Sequence, residues 1–397
     1  MIAITGGYVV PIEGDPIDGG TVLIENDKIT AVEGPGFAVP PGYTVVDAAG
    51  KWVLPGFIDA HTHLGVHEDG EGWAGNDTNE MTSAVTAKVR ALDAINPADV
   101  AFRDAIAGGV LNVNVNPGSG NPIGGQTAAL KCWGRTVDDM VLRAPAGLKS
   151  ALGENPKRVY GDRKEMPSTR LGTAAVIRTA LVDALNYQDK IENPTAERPV
   201  VARDLNLEAL LLVLRREIPW RQHCHRADDI ATAMRIAAEF GYDLVIDHGT
   251  EAHLLADKIA AAGVPVIIGP LFTSRAKVEL RNRSLANPGR LAAAGVTIAL
   301  TTDHPVVPIN FLIHQATLAV KEGLDRETAL RAVTINPARI IGCADRIGSL
   351  TPGKDADIVI WSGDPLDVMS RAELAFQNGR EIYRYDPALR EGVFQQP

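Results

Sequence analysis

Cysteine is scarce. Cys132, Cys224 and Cys343 stand far apart with no C-x-x-C pair, which excludes a disulfide-stapled small fold and a thiolate zinc site and fits a reducing compartment, the cytoplasm by default. Basic excess is also lacking. Lys and Arg number 39 against 49 Asp and Glu, a formal net charge of −10 with no basic block, so neither nucleic acid nor an anionic membrane surface is an expected partner. No apolar run approaches the length of about 18 residues that signals a membrane-spanning helix, and the opening Met1-Ile2-Ala3-Ile4-Thr5 lacks the charged and continuously apolar regions of a signal peptide. The expectation is a protein neither exported nor membrane-spanning. Internal repeats and low-complexity tracts are absent too. The glycine-rich run Asn116 to Gln126 has neither the Walker spacing nor a GxGxxG turn, so it is not a phosphate loop. These exclusions leave small-molecule chemistry.

What is present is an ordinary globular composition, 45% hydrophobic and 22% charged over 397 residues, enough for a large core. Residues 1 to 54 alternate apolar and polar positions between Gly, Pro, Asn and Asp turns and read as β-strands. From Lys51 onward, apolar runs alternate with alanine-rich stretches, the signature of repeated βα units. Strands are expected near 56–62, 109–115, 126–132, 145–152, 218–224, 243–247, 264–268 and 296–301. Helices are expected at Ser83–Ala107, Ala174–Tyr187, Leu207–Arg216, Asp228–Phe240 and Glu251–Ala262. Eight strands separated by helices predict an α/β fold, a (β/α)8 TIM barrel over 55–346. Strand character returns in Ala356–Trp361 and Glu381–Arg384, and 54 residues are too few to fold alone, so 1–54 and 347–397 are expected to share one small β-sandwich module.

The polar residues that end these apolar runs carry the chemistry. His61 and His63 flank Thr62 at the end of the first barrel strand; residues two apart on a strand share a face, so both imidazoles converge on one cation. His223-Cys224-His225, His248 and Asp303 also follow apolar runs, at the strand ends where barrel enzymes gather catalytic groups. Neutral imidazoles with one aspartate leave coordination positions open for water, as hydrolysis requires. Lys149, at the end of the fourth run, is out of place among cations unless its amine adds carbon dioxide to become an anionic carbamate bridging two metals about 3.5–4 Å apart. Glu154 is the rival bridging carboxylate. His67, His253, His304 and His314 are read as structural or solvent-facing, with His304 next to Asp303.

Several segments together resemble one family. Val53-Leu-Pro-Gly-Phe-Ile-Asp-Ala-His-Thr-His63, Ile246-Asp-His248-Gly-Thr, Thr302-Asp303, Thr334-Ile-Asn-Pro-Ala and Gly348-Ser-Leu-Thr-Pro-Gly-Lys-Asp-Ala-Asp357 are similar to the amidohydrolase superfamily, especially its imidazolonepropionase-like branch. The resemblance spans nearly the whole chain and implies a metal-dependent barrel. Gly147-Leu-Lys149-Ser-Ala-Leu-Gly153 resembles the strand-four segment that carries the carboxylated lysine of isoaspartyl dipeptidases, which favours Lys149 over Glu154. The strand-five pattern of the family suits His225, ahead of Asp228, with His223 the alternate. Imidazolonepropionases have glutamate where Asp228 stands and use no lysine at strand four.

The resemblance therefore implies that His61, His63, Lys149 as carbamate, His225, His248 and Asp303 hold two divalent ions, zinc by preference, and that Asp303 moves the proton during hydrolysis of an amide, dipeptide or cyclic amide. Arg158, Tyr160, Arg163, Arg170 and Arg226 are the candidates to hold a substrate carboxylate, since guanidinium groups pair with carboxylates in bidentate fashion. Two other classes stand beside this one: a mononuclear deaminase of an aminated heterocycle, and a non-catalytic scaffold, which is expected to have lost ligands that are all present here. A homo-oligomer is left open.

Overall fold

The computed structural model describes residues 1–194 and 201–397. Its central sheet has eight strands: β1 Phe57–Thr62, β2 Val110–Val115, β3 Ile123–Lys131, β4 Val141–Ala151, β5 Trp220–Cys224, β6 Leu244–His248, β7 Val266–Ile268 and β8 Ile298–Leu300. They overlap all eight expected runs. Every residue of β1, β2 and β5 to β8 is buried, and strands covered on both faces read as continuous apolar runs rather than alternating ones.

Strand order follows the sequence, and the ladders from β4 to β8 are parallel, as is β1 with β2. β3 breaks the pattern. It runs antiparallel to both β2 and β4, so the expected eight parallel strands are corrected to seven around one reversed strand. The cause is connection length. Only 116–122 join β2 to β3 and 132–140 join β3 to β4, whereas a parallel crossover needs a dozen or more residues. The glycine-rich run is therefore a hairpin connection.

The helices Arg170–Glu192, Leu205–Leu214 and Ala227–Phe240 cover their expected segments. Thr169 and Asp204 accept the first amides of two of them, and Gly241 ends the third at φ 75° in the left-handed region. The helix expected at Ser83–Ala107 forms only over Ala101–Ala107. Its first half is extended against β3: Thr86 N donates to Ile123 O at 3.0 Å and Gln126 N to Val89 O at 2.8 Å. Asn96-Pro97 blocks helix continuation, and Thr82, Val85, Thr86 and Val89 favour extended backbone.

No ladder joins β8 to β1. Side chains close that seam instead. Buried Asp59 accepts from Thr302 N at 2.9 Å and Thr302 Oγ1 at 2.6 Å, while Thr301 Oγ1 stands 2.7 Å from Asp59 Oδ1 and 2.6 Å from His61 O. The seam thus fixes the strand ends that carry His61 and Asp303.

The chain ends build a second sheet of nine strands, five from residues 2–55 and four from 358–394, joined where Ile358–Trp361 pairs antiparallel with Trp52–Pro55. Ile4, Val22, Ile24, Val53, Ile358 and Phe376 pack in its own apolar cluster. An ionic clamp ties it to the barrel. Lys131 of β3 places its buried ammonium 2.9 Å from Asp355, 2.8 Å from Asp357 and 2.5 Å from Asn378 Oδ1, and Asp355 also pairs with Lys28 and Arg346. No described helix is long and apolar enough to cross a membrane.

Burial opposes ionisation of Asp355, but hydrogen bonds from Lys131 and Lys28 outweigh it and bring its pKa down to about 2. A carboxylate depressed on folding stabilises above its unfolded pKa and loses that contribution as pH falls through the folded value, so acid unfolding should steepen between about pH 4 and 2. Replacing Lys131→Met leaves the buried carboxylates short of a partner and should cost about 3 kcal/mol in denaturant unfolding. An unchanged midpoint would show that the clamp contributes nothing.

Candidate metal centre

Five imidazoles, one amine and one carboxylate meet at the C-terminal rim of the barrel. His61 lies in β1 and His63 just beyond it, Lys149 is in β4, His223 is the last residue but one of β5 with His225 just past its end, and His248 is the last residue of β6. Parallel register sets Lys149 level with Arg221 and His223 level with Asp247. Ring centroids are 4.7 Å apart for His61 and His248, 4.5 Å for His223 and His248, and 5.0 Å for His225 and His248. Asp303 Oδ1 stands 3.3 Å from His61 Nε2 and 3.4 Å from His63 Nε2, and Lys149 Nζ is 3.3 Å from His61 Nε2. His248 and Asp303 hold positive φ, 73° and 52°, an unfavourable backbone for residues other than glycine that concentrates at functional sites.

The acceptors behind the rings decide which nitrogen faces the cavity. His63 Nδ1 lies 2.8 Å from Asn116 O, and His248 Nδ1 lies 2.9 Å from Gly269 O. A carbonyl only accepts, so each Nδ1 carries the proton and each Nε2 presents a lone pair. His225 Nδ1 lies 2.9 Å from Thr250 Oγ1, a hydroxyl that can accept or donate, and its buried Nε2 has no hydrogen-bond partner. His61 Nδ1 stands 3.0 Å from Asp247 Oδ2, and Asp247 Oδ1 accepts from Arg221 Nη2 at 2.8 Å. His223 differs: Nε2 lies 3.4 Å from Asn155 Nδ2 and Nδ1 is the unpartnered atom.

Burial pushes the imidazoles towards their neutral forms: His223 and His225 well below the ordinary value, His248 down to about 3. Lys149, wholly buried, is lowered to about 8 by the same desolvation against the opposing pull of Asp247 and Asp303. Burial also resists ionisation of Asp303, yet His248 and the hydrogen bonds of His61 and His63 hold it well below the usual carboxylate range. Neutral imidazoles with an ionised carboxylate are the donor set a divalent cation takes. Two groups bring ligand atoms within 4.8 Å of one another, His61 with His63 and Asp303, and His223 with His225 and Glu279.

A cavity of about 410 Å³ opens above these residues, walled by His63, Asn79, Ser119, Asn155, Lys277 and Asp303 among others. None of the five expected carboxylate binders lines it. Tyr160 is buried with its hydroxyl donating to Ser83 O and Asn121 Oδ1, Arg163 is bonded to Met81 O, Arg170 pairs with Asp229 and Glu279, and Arg226 with Asp228. Arg158 is exposed. Each follows a strand in sequence, but Arg170 and Arg226 take their direction from acidic partners, and Tyr160 and Arg163 from backbone carbonyls of Ser83 and Met81. Glu154 is off the cavity as well, its amide donating to Glu279 Oε1 at 2.8 Å. Lys277, Asn155 and Ser119 were not singled out from the sequence. Only their place in the segments after β7, β4 and β2 could have pointed to them, since the segments that follow strands at this rim wall barrel sites. A larger cavity, about 700 Å³, lies at the opposite end of the barrel beside Pro219, Leu244 and Pro265, away from the histidines.

Asp247 stands behind His61 at 3.0 Å and is neutralised by Arg221, so Asp247→Asn should weaken divalent-metal binding about 10–100-fold. Chelator competition on zinc-loaded protein measures this, and unchanged affinity would deny Asp247 an orienting role.

Comparison with known proteins agrees with this architecture. Residues 210–384 match the amidohydrolase family. Amidohydrolase tasK of Hapsidospora irregularis is 31% identical over 377 residues, 88% of this chain, which spans only 38% of that longer protein. An imidazolonepropionase of Aromatoleum aromaticum is 30% identical over 87% of this chain and 83% of its own length. Among solved structures, an amidohydrolase from Thermotoga maritima superposes with a TM-score of 0.93 at 46% identity, covering 97% of this chain and all of that one. A prolidase complexed with N-methylphosphonate-L-proline shares the fold, with a TM-score of 0.63 at 19% identity. With a family match in the second half of the chain and close relatives along its whole length, this protein belongs to the amidohydrolase family, hydrolases acting on carbon–nitrogen bonds.

Proposed function

We propose that the chain hydrolyses an amide, dipeptide or cyclic-amide bond of a small substrate at a two-metal centre. The convergence of His61, His63, Lys149, His225, His248 and Asp303 on one rim carries the reading. His61, His63 and Asp303 would hold one ion, His225 and His248 a second, and Lys149 both; zinc suits the nitrogen-rich set. His225 is favoured over His223 because its Nδ1 is held from behind, as those of His63 and His248 are. Bound divalent ions lower the pKa of coordinated water and polarise a carbonyl oxygen.

The protein's own groups supply the rest. With its pKa near 8, Lys149 has a neutral fraction at neutral pH that an ordinary lysine, near 10.4, lacks. Its lone pair can attack carbon dioxide; a C–N bond forms, the nitrogen releases a proton, and the carbamate oxygens carry the negative charge. Asp303 is ionised and faces the cavity, so it accepts the proton of the attacking water and returns it to the leaving nitrogen. The terminal sheet is taken as a β-sandwich module of residues 1–54 and 347–397 that buttresses the barrel of 55–346. Three free, buried cysteines support a cytoplasmic setting.

Asp303→Asn should fold as the wild type does and lose about 10²–10⁴ in kcat; wild-type turnover by the purified variant would remove the assignment. After metal stripping, activity regained with zinc should depend on added bicarbonate and be absent in Lys149→Ala. A screen of dipeptides, N-acyl amino acids, lactams and aminated heterocycles decides the class. Full activity of Lys149→Ala with ammonia release would instead establish a one-metal deaminase.

A further inference from the structure

The cavity has one cation that the sequence reading passed over. Lys277 lies in the loop after β7, half-buried, and its Nζ donates to Asn155 Oδ1 at 3.0 Å. Among the described residues no carboxylate forms an ion pair with it, in contrast to Arg170 and Arg226, which are both paired. Asn155 in turn donates from Nδ2 to Ser119 Oγ at 2.8 Å, so the helix after β4, the hairpin connection of β2 and β3, and the loop after β7 meet at one polar corner of the cavity wall.

No described carboxylate closes an ion pair with that ammonium, although Glu279, Asp303 and Glu154 favour its charged form from farther off. Asp303 is engaged by His61 and His63, and burial pushes His223, His225 and His248 towards their neutral forms. A half-buried ammonium with one amide oxygen for a partner keeps two donor hydrogens free, and its charge is under-compensated. Burial lowers the Lys277 pKa, the physical sign of that deficit. A cavity of about 410 Å³ holds a ligand of a few fused or linked groups, and its lining includes both the histidines and this corner.

We propose that Lys277, flanked by Asn155 and Ser119, anchors a carboxylate of the substrate, which makes the preferred substrates N-acyl amino acids, dipeptides or carboxylate-bearing cyclic amides. This rests on the hydrolytic reading above and assigns to Lys277 the role expected of the arginines. An anchor that holds the ground and transition states alike acts on KM rather than kcat.

The test pairs each of a panel of N-acyl amino acids and dipeptides with its terminal carboxamide. Wild-type protein should prefer the acids by about 10–100-fold in kcat/KM, the worth of a hydrogen bond to a charged group. Lys277→Met should raise KM for the acids by that factor, leave kcat and the carboxamides unchanged, and be restored in part by Lys277→Arg. An unchanged acid-to-carboxamide ratio in Lys277→Met, with both proteins folded by thermal melting, would overturn the anchor. Calorimetric binding of the same acids separates the two readings. If neither protein hydrolyses any amide but the acids bind wild type more tightly than Lys277→Met, hydrolysis is removed and the anchor stands. Equal binding by the two overturns the anchor.

Discussion

Everything at this rim depends on imidazoles that are buried yet held from behind. Burial alone would leave the rings free to choose a tautomer and to turn. Backbone carbonyls of Asn116 and Gly269 accept from Nδ1 of His63 and His248, and Thr250 stands behind His225. Each acceptor sits on the element next to the ring it holds, so the sheet that brings the rings together also fixes the lone pair that each presents.

The charges beneath the rim follow the same logic. Asp247 would be costly to ionise at full burial without Arg221, and Arg221 would be an isolated buried cation without Asp247. Together they leave one carboxylate oxygen beside His61. Asp59 acts one layer lower, where β8 and β1 lack a ladder, and holds Thr301 and Thr302 so that Asp303 emerges towards His61 and His63.

Much of this is legible in the sequence, for reasons that differ by element. The barrel strands are buried on both faces, so their apolar runs stand out, and the polar residue ending each run points to the rim. The direction of β3 is legible only from connection lengths, because an apolar run such as Thr127 to Leu130 reads the same in either sense. The segment 83–100 misleads because alanines and an apolar period suggest a helix while its amides bond to β3, a partner distant in sequence. The carboxylate side of the cavity is the least legible part. Arg163, Arg170 and Arg226 have the right chemistry but find partners away from the cavity, Met81 O for the first and acidic side chains for the other two, whereas Lys277 enters the cavity only through the path of its loop.

Metal content of the replete wild-type protein, read by elemental analysis against protein concentration, bears most directly on the two-metal centre. Two divalent ions per chain is the predicted stoichiometry. Protein that stays folded and retains no stoichiometric divalent metal after repletion would contradict it.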